Sequence, residues 1–403
     1  MIEQQVLFAV LITLFACGAA FSKATSSDDD EHELNVQIIN KAKLSPERLA
    51  DAINAKAVLT NNPKLLAQSA KLVPTDPVYI FQPCLWKIDT DLGDLAQEAP
   101  SSTDCEKLMQ DVEKRKQGEV AKARKLLDKV YLVSPNYLPA LYLDALNKPT
   151  LEEKLAALEK IAEIDKDNAK PYYNMAELKF GSLTRGKRTT EESSNYAFPL
   201  TTDELKDVLD LIRKGNAEPA LITTLLRVPS VENIKVSIKG KVLPKEAVES
   251  MLMININEDE VFRDVSQINN AIARQISRQI SWEAKQLALK DRKDEALDLI
   301  DVGHAFADNV AAEKPYRGMP FLVGSGMHSI LRKAESDILD ASADKDRLAK
   351  LKKQEEAWKN GVTSFQAILG QLIASPKDLV HYISYNLEES TVADALKKLN
   401  LIN

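Results

Sequence analysis

Apolar residues recur at helical spacing along most of the chain, and the breaks between the runs set the expected elements. From about Glu119 to Phe180 the pattern predicts two helical hairpins laid end to end. Ala123, Leu127 and Val130 share one helical face before Ser134-Pro135-Asn136 interrupts it. Leu151, Leu155, Leu158 and Ala162 repeat that face before Asp165-Lys166-Asp167-Asn168. A short helix follows each break, Tyr137 to Leu146 and then Tyr172 to Phe180. Upstream, Ser45-Pro46-Glu47-Arg48 combines an N-cap serine with proline in the first turn, and Leu49, Ala52, Ile53 and Ala57 continue as an apolar stripe. Asn61-Asn62-Pro63 punctuates, Leu65 to Leu72 is a helix, Pro74 to Pro77 breaks it, and Tyr79 to Ile88 carries Phe81, Leu85 and Trp86.

Beyond Phe180 the register changes. Gly181 to Tyr196 is polar and basic and predicts an exposed loop. Thr202-Asp203-Glu204 starts a helix through Ile212, and Ala217 to Leu226 predicts a second. Ile234, Val236 and Ile238 then alternate with polar residues, and Met251 to Ile256 is partly alternating. Residues 231–257 therefore predict a small β-hairpin flanking a Pro244 to Ser250 helix. From Glu258 the helical pattern resumes. It runs through Ile268, Ile272, Ile276 and Ile280, then Trp282 to Leu289, Glu295 to Val310, Met319 to Leu339, Ala341 to Gly361, Val362 to Ile373 and a last helix after Ser390. The expected fold is all-α or predominantly α, roughly 60–70% helix against a base rate of about a third.

The N-terminus changes the picture of where the chain works. Val6 to Phe21 is apolar and shorter than the ~20 residues a spanning helix needs, and small residues and an acidic Ser/Asp run follow it. That order predicts an export signal over 1–20 and a polar, acidic tether over 21–44, although Met1 to Gln5 holds Glu3 and no basic residue. The remaining expected divisions are a helical domain over 45–180, loop, helices and the small β element over 181–257, and a helical C-terminal domain over 258–403. Leu14-Phe15-Ala16-Cys17-Gly18 resembles a bacterial lipobox, with Phe15 where a smaller residue is usual, and so offers Cys17 for lipidation. Cleavage after Ala20 or Ala24 is the alternative.

Composition narrows the class. The 403 residues are 44% hydrophobic and 28% charged, as in an ordinary globular protein, and 13 glycines with 6% aromatics favour helices over a glycine-punctuated β-sandwich. A net charge of −7 with a pI of about 5.4, and basic residues spread along the chain, argues against a nucleic-acid partner. Of three cysteines, Cys17 falls in the signal, which leaves Cys84 and Cys105 as a candidate disulfide in an oxidising compartment. Such a bridge would close a loop of about 20 residues, worth about 3 kcal/mol.

Two family resemblances follow from these residues. Residues 119–168 resemble tetratricopeptide repeats, with Ala123, Leu127, Val130 and Pro135 at the small, bulky, small and proline positions of the second helix and break. The next copy departs, with Lys154 and Lys166 where a small residue and proline are usual. The resemblance implies a packing scheme and a concave surface for a protein or peptide partner; Tyr137, Tyr142, Tyr172 and Tyr173 are the aromatic candidates for it. Residues 282–338 resemble a helical array of exported bacterial proteins, through Ala284, Leu287 and Ala288, Asp294-Glu295-Ala296-Leu297, Gly303-His304-Ala305, Leu322-Val323-Gly324 and Ile330.

The candidate chemistry is thin. Gly181 to Arg188 nearly spells a phosphate-binding loop, but Arg188 stands where a Mg²⁺-binding hydroxyl is required, and a helix precedes the loop instead of a strand. Asp89-Thr90-Asp91-Leu92-Gly93-Asp94 is acidic like a calcium loop, but glycine falls fifth and Pro100 occupies the twelfth position. His304 and His328 are placed to face each other across a helical hairpin, without the further ligands a zinc site needs. No cofactor, metal or catalytic residue is therefore assigned. The sequence reads as a non-enzymatic, exported, envelope-associated helical-repeat protein that binds a protein or peptide, touching the membrane only through a lipid anchor. Two other readings stand beside it: a secreted or anchored enzyme with a site between the two helical regions, using His304, His328 and nearby acids, and a passive structural lipoprotein.

Overall fold

A computed structural model describes residues 34–82, 125–185, 187, 197–223, 226–252, 268–314 and 318–356, apart from residues 228, 239, 246, 247, 250, 343, 344 and 354. Cys17, Cys84, Cys105 and the acidic 89–94 stretch lie outside them. The chain is predominantly helical, with one small three-stranded antiparallel sheet. The described residues fall into two compact units, 34–82, 125–135 and 226–252 in the first, 136–223 and 268–356 in the second. The boundary between the units, at 135/136, falls inside the expected 45–180 domain.

In the first unit, α1 (Pro46–Leu59) begins where the Ser45 side chain accepts from Arg48 N, with proline filling the first turn. Asn61, at a φ of 48°, turns the chain into α2 (Pro63–Leu72), which Asn62 caps. Residues 77–82 and 125–133 are also helical. The sheet orders β1 (Leu34–Ile38), β2 (Ile234–Ile238) and β3 (Lys241–Val242). Val36 faces Val236, and these two are the buried side chains of their strands. Gly240, at a φ of 77°, makes the turn between β2 and β3.

Two expectations change here. The hairpin partner of 234–238 is 241–242, whereas Met251 and Leu252 are helical. The expected tether contains β1, since Leu34–Ile38 pairs in register with a strand about 200 residues later. Arg227 adds a polar tie, donating to Asp51 at 2.8 Å, to the Tyr79 hydroxyl at 2.9 Å and to Asp76 at 3.3 Å.

The second unit starts with a run of packed hairpins: α3 (Leu138–Leu146), α4 (Leu151–Ile164), α5 (Lys170–Thr184) and α6 (Thr202–Ala217), each against the next. Capping boxes open α4, between Thr150 and Glu153, and α6, between Thr201 and Glu204. The expected loop at Gly181 begins later, because α5 continues through Thr184. Lys187 then pairs with Glu204 at 2.9 Å, which engages the lysine that a phosphate loop would use. The helix expected over Ala217 to Leu226 is absent as far as Thr223. Pro219 disfavours helical geometry at Glu218, whose ψ is 147°, and the chain runs extended instead. That segment bridges two places: Ala169 N donates to Ala220 O at 2.8 Å, and Thr223 N to Lys314 O at 2.7 Å.

Three long helices complete the unit: α7 (Asn270–Leu289), α8 (Lys293–Ala311) and α9 (Gly318–Ser342), with 345–353 helical after them. Asn269 caps α7, and its own N–H donates to the buried Glu177 carboxylate at 2.7 Å. Ile276, Ile280, Phe306, Val310, Met327 and Leu331 form the shared core. A Cβ on Gly324 would stand 2.6 Å from the Ala307 carbonyl oxygen, so glycine lets α8 and α9 approach closely. Among the described residues, no helix is long and apolar enough to cross a membrane.

Candidate functional site

The closest gathering of chemically capable side chains lies between α8 and α9. Asp301, His304 and Asp308 occupy one face of α8 at spacings of three and four; His328, Arg332 and Glu335 do the same on α9. With the backbones held close at Gly324, the two faces meet. His304 Nδ1 lies 2.8 Å from His328 Nδ1, and the rings stack at 5.0 Å between centroids with 18° between planes.

Each outer nitrogen then finds a carboxylate. His304 Nε2 is 3.2 Å from Glu335 Oε2, and His328 Nε2 is 2.7 Å from Asp308 Oδ1. Arg347, from the helical 345–353 stretch, donates to Glu335 Oε1 at 2.9 Å and to Asp301 at 2.7 Å. The row thus runs Asp308, His328, His304, Glu335, Arg347, Asp301. Its middle is buried, with the His328 side chain 4% and that of Glu335 7% exposed, while Asp308 and Asp301 reach water.

Burial sets the charges. It pushes the His328 pKa down to about 4 against the opposing pull of Asp308, with His304 and Arg332 adding to the fall. Burial acts to raise Glu335, but hydrogen bonds from His304 and Arg347 outweigh it and hold the carboxylate below its ordinary range. Arg332 is pushed down to about 10 by burial, against the attraction of Glu355, Asp308 and Glu335.

All four ring nitrogens are engaged in this row and point along it, so they do not converge on a common point. Among the described residues, no group of three or more His, Cys, Asp or Glu side chains is arranged to hold a metal ion. His304 and His328 face each other as the sequence predicts; Asp308, Glu335 and Arg347 are the additions. Helical spacing places Glu335 on the face of His328 and Asp308 on the face of His304, but each acid bonds the histidine of the other helix, which sequence spacing does not give.

The tyrosine surface needs correction. Tyr142 and Tyr173 are fully buried and cannot form an exposed face; Tyr137 and Tyr172 are half-buried. Tyr142 donates to Asp165 at 2.8 Å, beneath the Lys170 ammonium 3.7 Å from its ring. Tyr173 donates to Asn216 at 2.8 Å and accepts from Asn309 at 2.7 Å, with its ring against Phe306 at 4.7 Å. Both hydroxyls are satisfied inside the protein, and burial raises both pKa values further above the ordinary tyrosine value.

Comparison with protein-family models, curated proteins and solved structures gives no match to this chain.

Proposed function

We propose that this chain is a non-enzymatic scaffold, exported to the cell envelope, whose helical hairpins bind a protein or peptide partner. The observation that carries the non-enzymatic part is the orientation of the histidine row. A general base needs a basic nitrogen within reach of a substrate proton, and all four nitrogens here are bonded to neighbouring side chains. The hairpin run α3 to α6 supports the scaffold part, because successive antiparallel helix pairs leave long, regular faces. Tyr137 and Tyr172, half-buried on that run, remain as aromatic contact candidates. The acidic segment after the apolar N-terminus supports export and tethering.

Photo-crosslinking residues placed at Tyr137 and Tyr172 test this reading in the native envelope. A discrete product from these positions, absent when the crosslinker replaces the exposed Asp337 on α9, is expected. Equal labelling at all three positions, or none at Tyr137 and Tyr172, would contradict it. The mass of the mature N-terminus separates lipidation at Cys17 from cleavage after Ala20 or Ala24.

A further inference from the structure

The histidine row needs more hydrogens than two neutral imidazoles supply. Glu335 and Asp308, as carboxylates, only accept, so Nε2 of both histidines must carry hydrogen to bond them. The Nδ1 to Nδ1 contact of 2.8 Å is a hydrogen bond only if one further hydrogen lies between the rings. Three hydrogens are needed, and two neutral imidazoles bring two. Without the third, two lone pairs would face each other at bonding distance in a mostly buried site.

We propose that the His304–His328 pair is a single-proton binding site, holding one shared proton that clamps α8 to α9 and opening that clamp when the proton leaves. The proton belongs on His304, which then donates both ways, to Glu335 and to His328 Nδ1. His328 is the neutral tautomer with hydrogen on Nε2, consistent with its deep burial. Placing the proton on Glu335 instead is opposed by the Arg347 guanidinium on its other oxygen.

The charges around the pair support one proton and oppose two. From α8 come Asp301 and Asp308, from α9 Arg332 and Glu335, and from the segment after α9 Arg347 and Glu355. From α7, Ile280 reaches Gly303 beside His304, and Ser281 donates to Ile330 O at 3.5 Å. The nearby α7 cation Lys285 is paired with Asp337, and Glu283 lies within electrostatic reach of Arg292. From α5 and α6 come the neutral Tyr173 and Asn216. A second proton would put two cations in ring contact.

The pH dependence has two limbs. Unfolded histidines lose their protons near pH 6.5. Above that the folded pair holds one proton and the unfolded chain none, so the stability from the clamp falls as pH rises. Below it the unfolded chain binds two and the folded pair one, so stability falls as pH drops. The pair therefore contributes a maximum near pH 6.5.

The test is a ¹⁵N-histidine titration of the full chain, with the urea midpoint followed over the same pH range. The chain holds four histidines, and His304→Gln and His328→Gln variants assign the signals. At pH 7 one imidazole with both nitrogens protonated, bonded to a neutral one, is expected, and one alkaline step should shift both together. The urea midpoint should fall on either side of about pH 6.5. Two neutral imidazoles at pH 7, two charged ones, or independent titration of the rings would overturn the proposal. The wild-type titration decides this even if a variant fails to fold.

Discussion

His328 sits where charge and burial conflict, and burial prevails. Its imidazole titrates near 4 in the fold and near 6.5 when unfolded, so the folded state binds fewer protons between those values. Stability from this residue is fully present above about pH 6.5 and is lost as pH falls toward 4, by about 3 kcal/mol in all. Glu335 acts in the same direction, since its lowered pKa gives stability that disappears on acidification. Urea midpoints between pH 7 and 4 should therefore fall in the wild type, and fall less in His328→Gln.

Tyr173 offers a second check at this scale. Tyr173→Phe leaves Asn216 and Asn309 without their hydroxyl partner, an expected loss of about 1–3 kcal/mol in chemical unfolding. The repeat resemblance offers Tyr142 and Tyr173 as surface aromatics but says nothing of which aromatics the core takes up. Their partners lie 23 residues away for Tyr142, and 43 and 136 away for Tyr173, beyond any local pattern.

Among the described residues most helices were legible from a repeating apolar face, and caps marked two of the starts, at Ser45 and near Thr202, because capping chemistry is local. Pro219 is the local signal against the predicted 217–226 helix, since the residue before a proline is disfavoured in helical geometry. The pairing of α8 with α9 depends on small residues at their contact. Gly324→Ala should clash with the Ala307 carbonyl and cost about 1–3 kcal/mol, measured as a drop in thermal midpoint. Thr201→Ala removes the hydroxyl that accepts from Glu204 N and should cost about 1 kcal/mol. The histidine pair was visible from the sequence as two residues on adjacent helices. Its carboxylates and arginine were not, because choosing them requires the register of α8 against α9 and of the segment carrying Arg347.

At the scale of the whole chain, the helical character and the alternation of β2 were readable, and β1 was not. Leu34–Ile38 follows an acidic run, carries one buried valine and finds its partner about 200 residues on, so nothing local distinguishes it from a tether. Val36→Asp would place a carboxylate against Val236, and the first unit should lose several kcal/mol or fail to fold, read by circular dichroism. The scaffold proposal joins these scales: the titratable cluster fastens helices, and the hairpin faces are left for a partner. The most direct measurement is partner crosslinking from Tyr172 in the His304→Gln, His328→Gln double variant, below its melting temperature. A lowered melting temperature with crosslinking retained is the predicted result. An unchanged melting temperature with crosslinking or biological activity abolished would contradict the account, because the pair would then act in function without holding the fold.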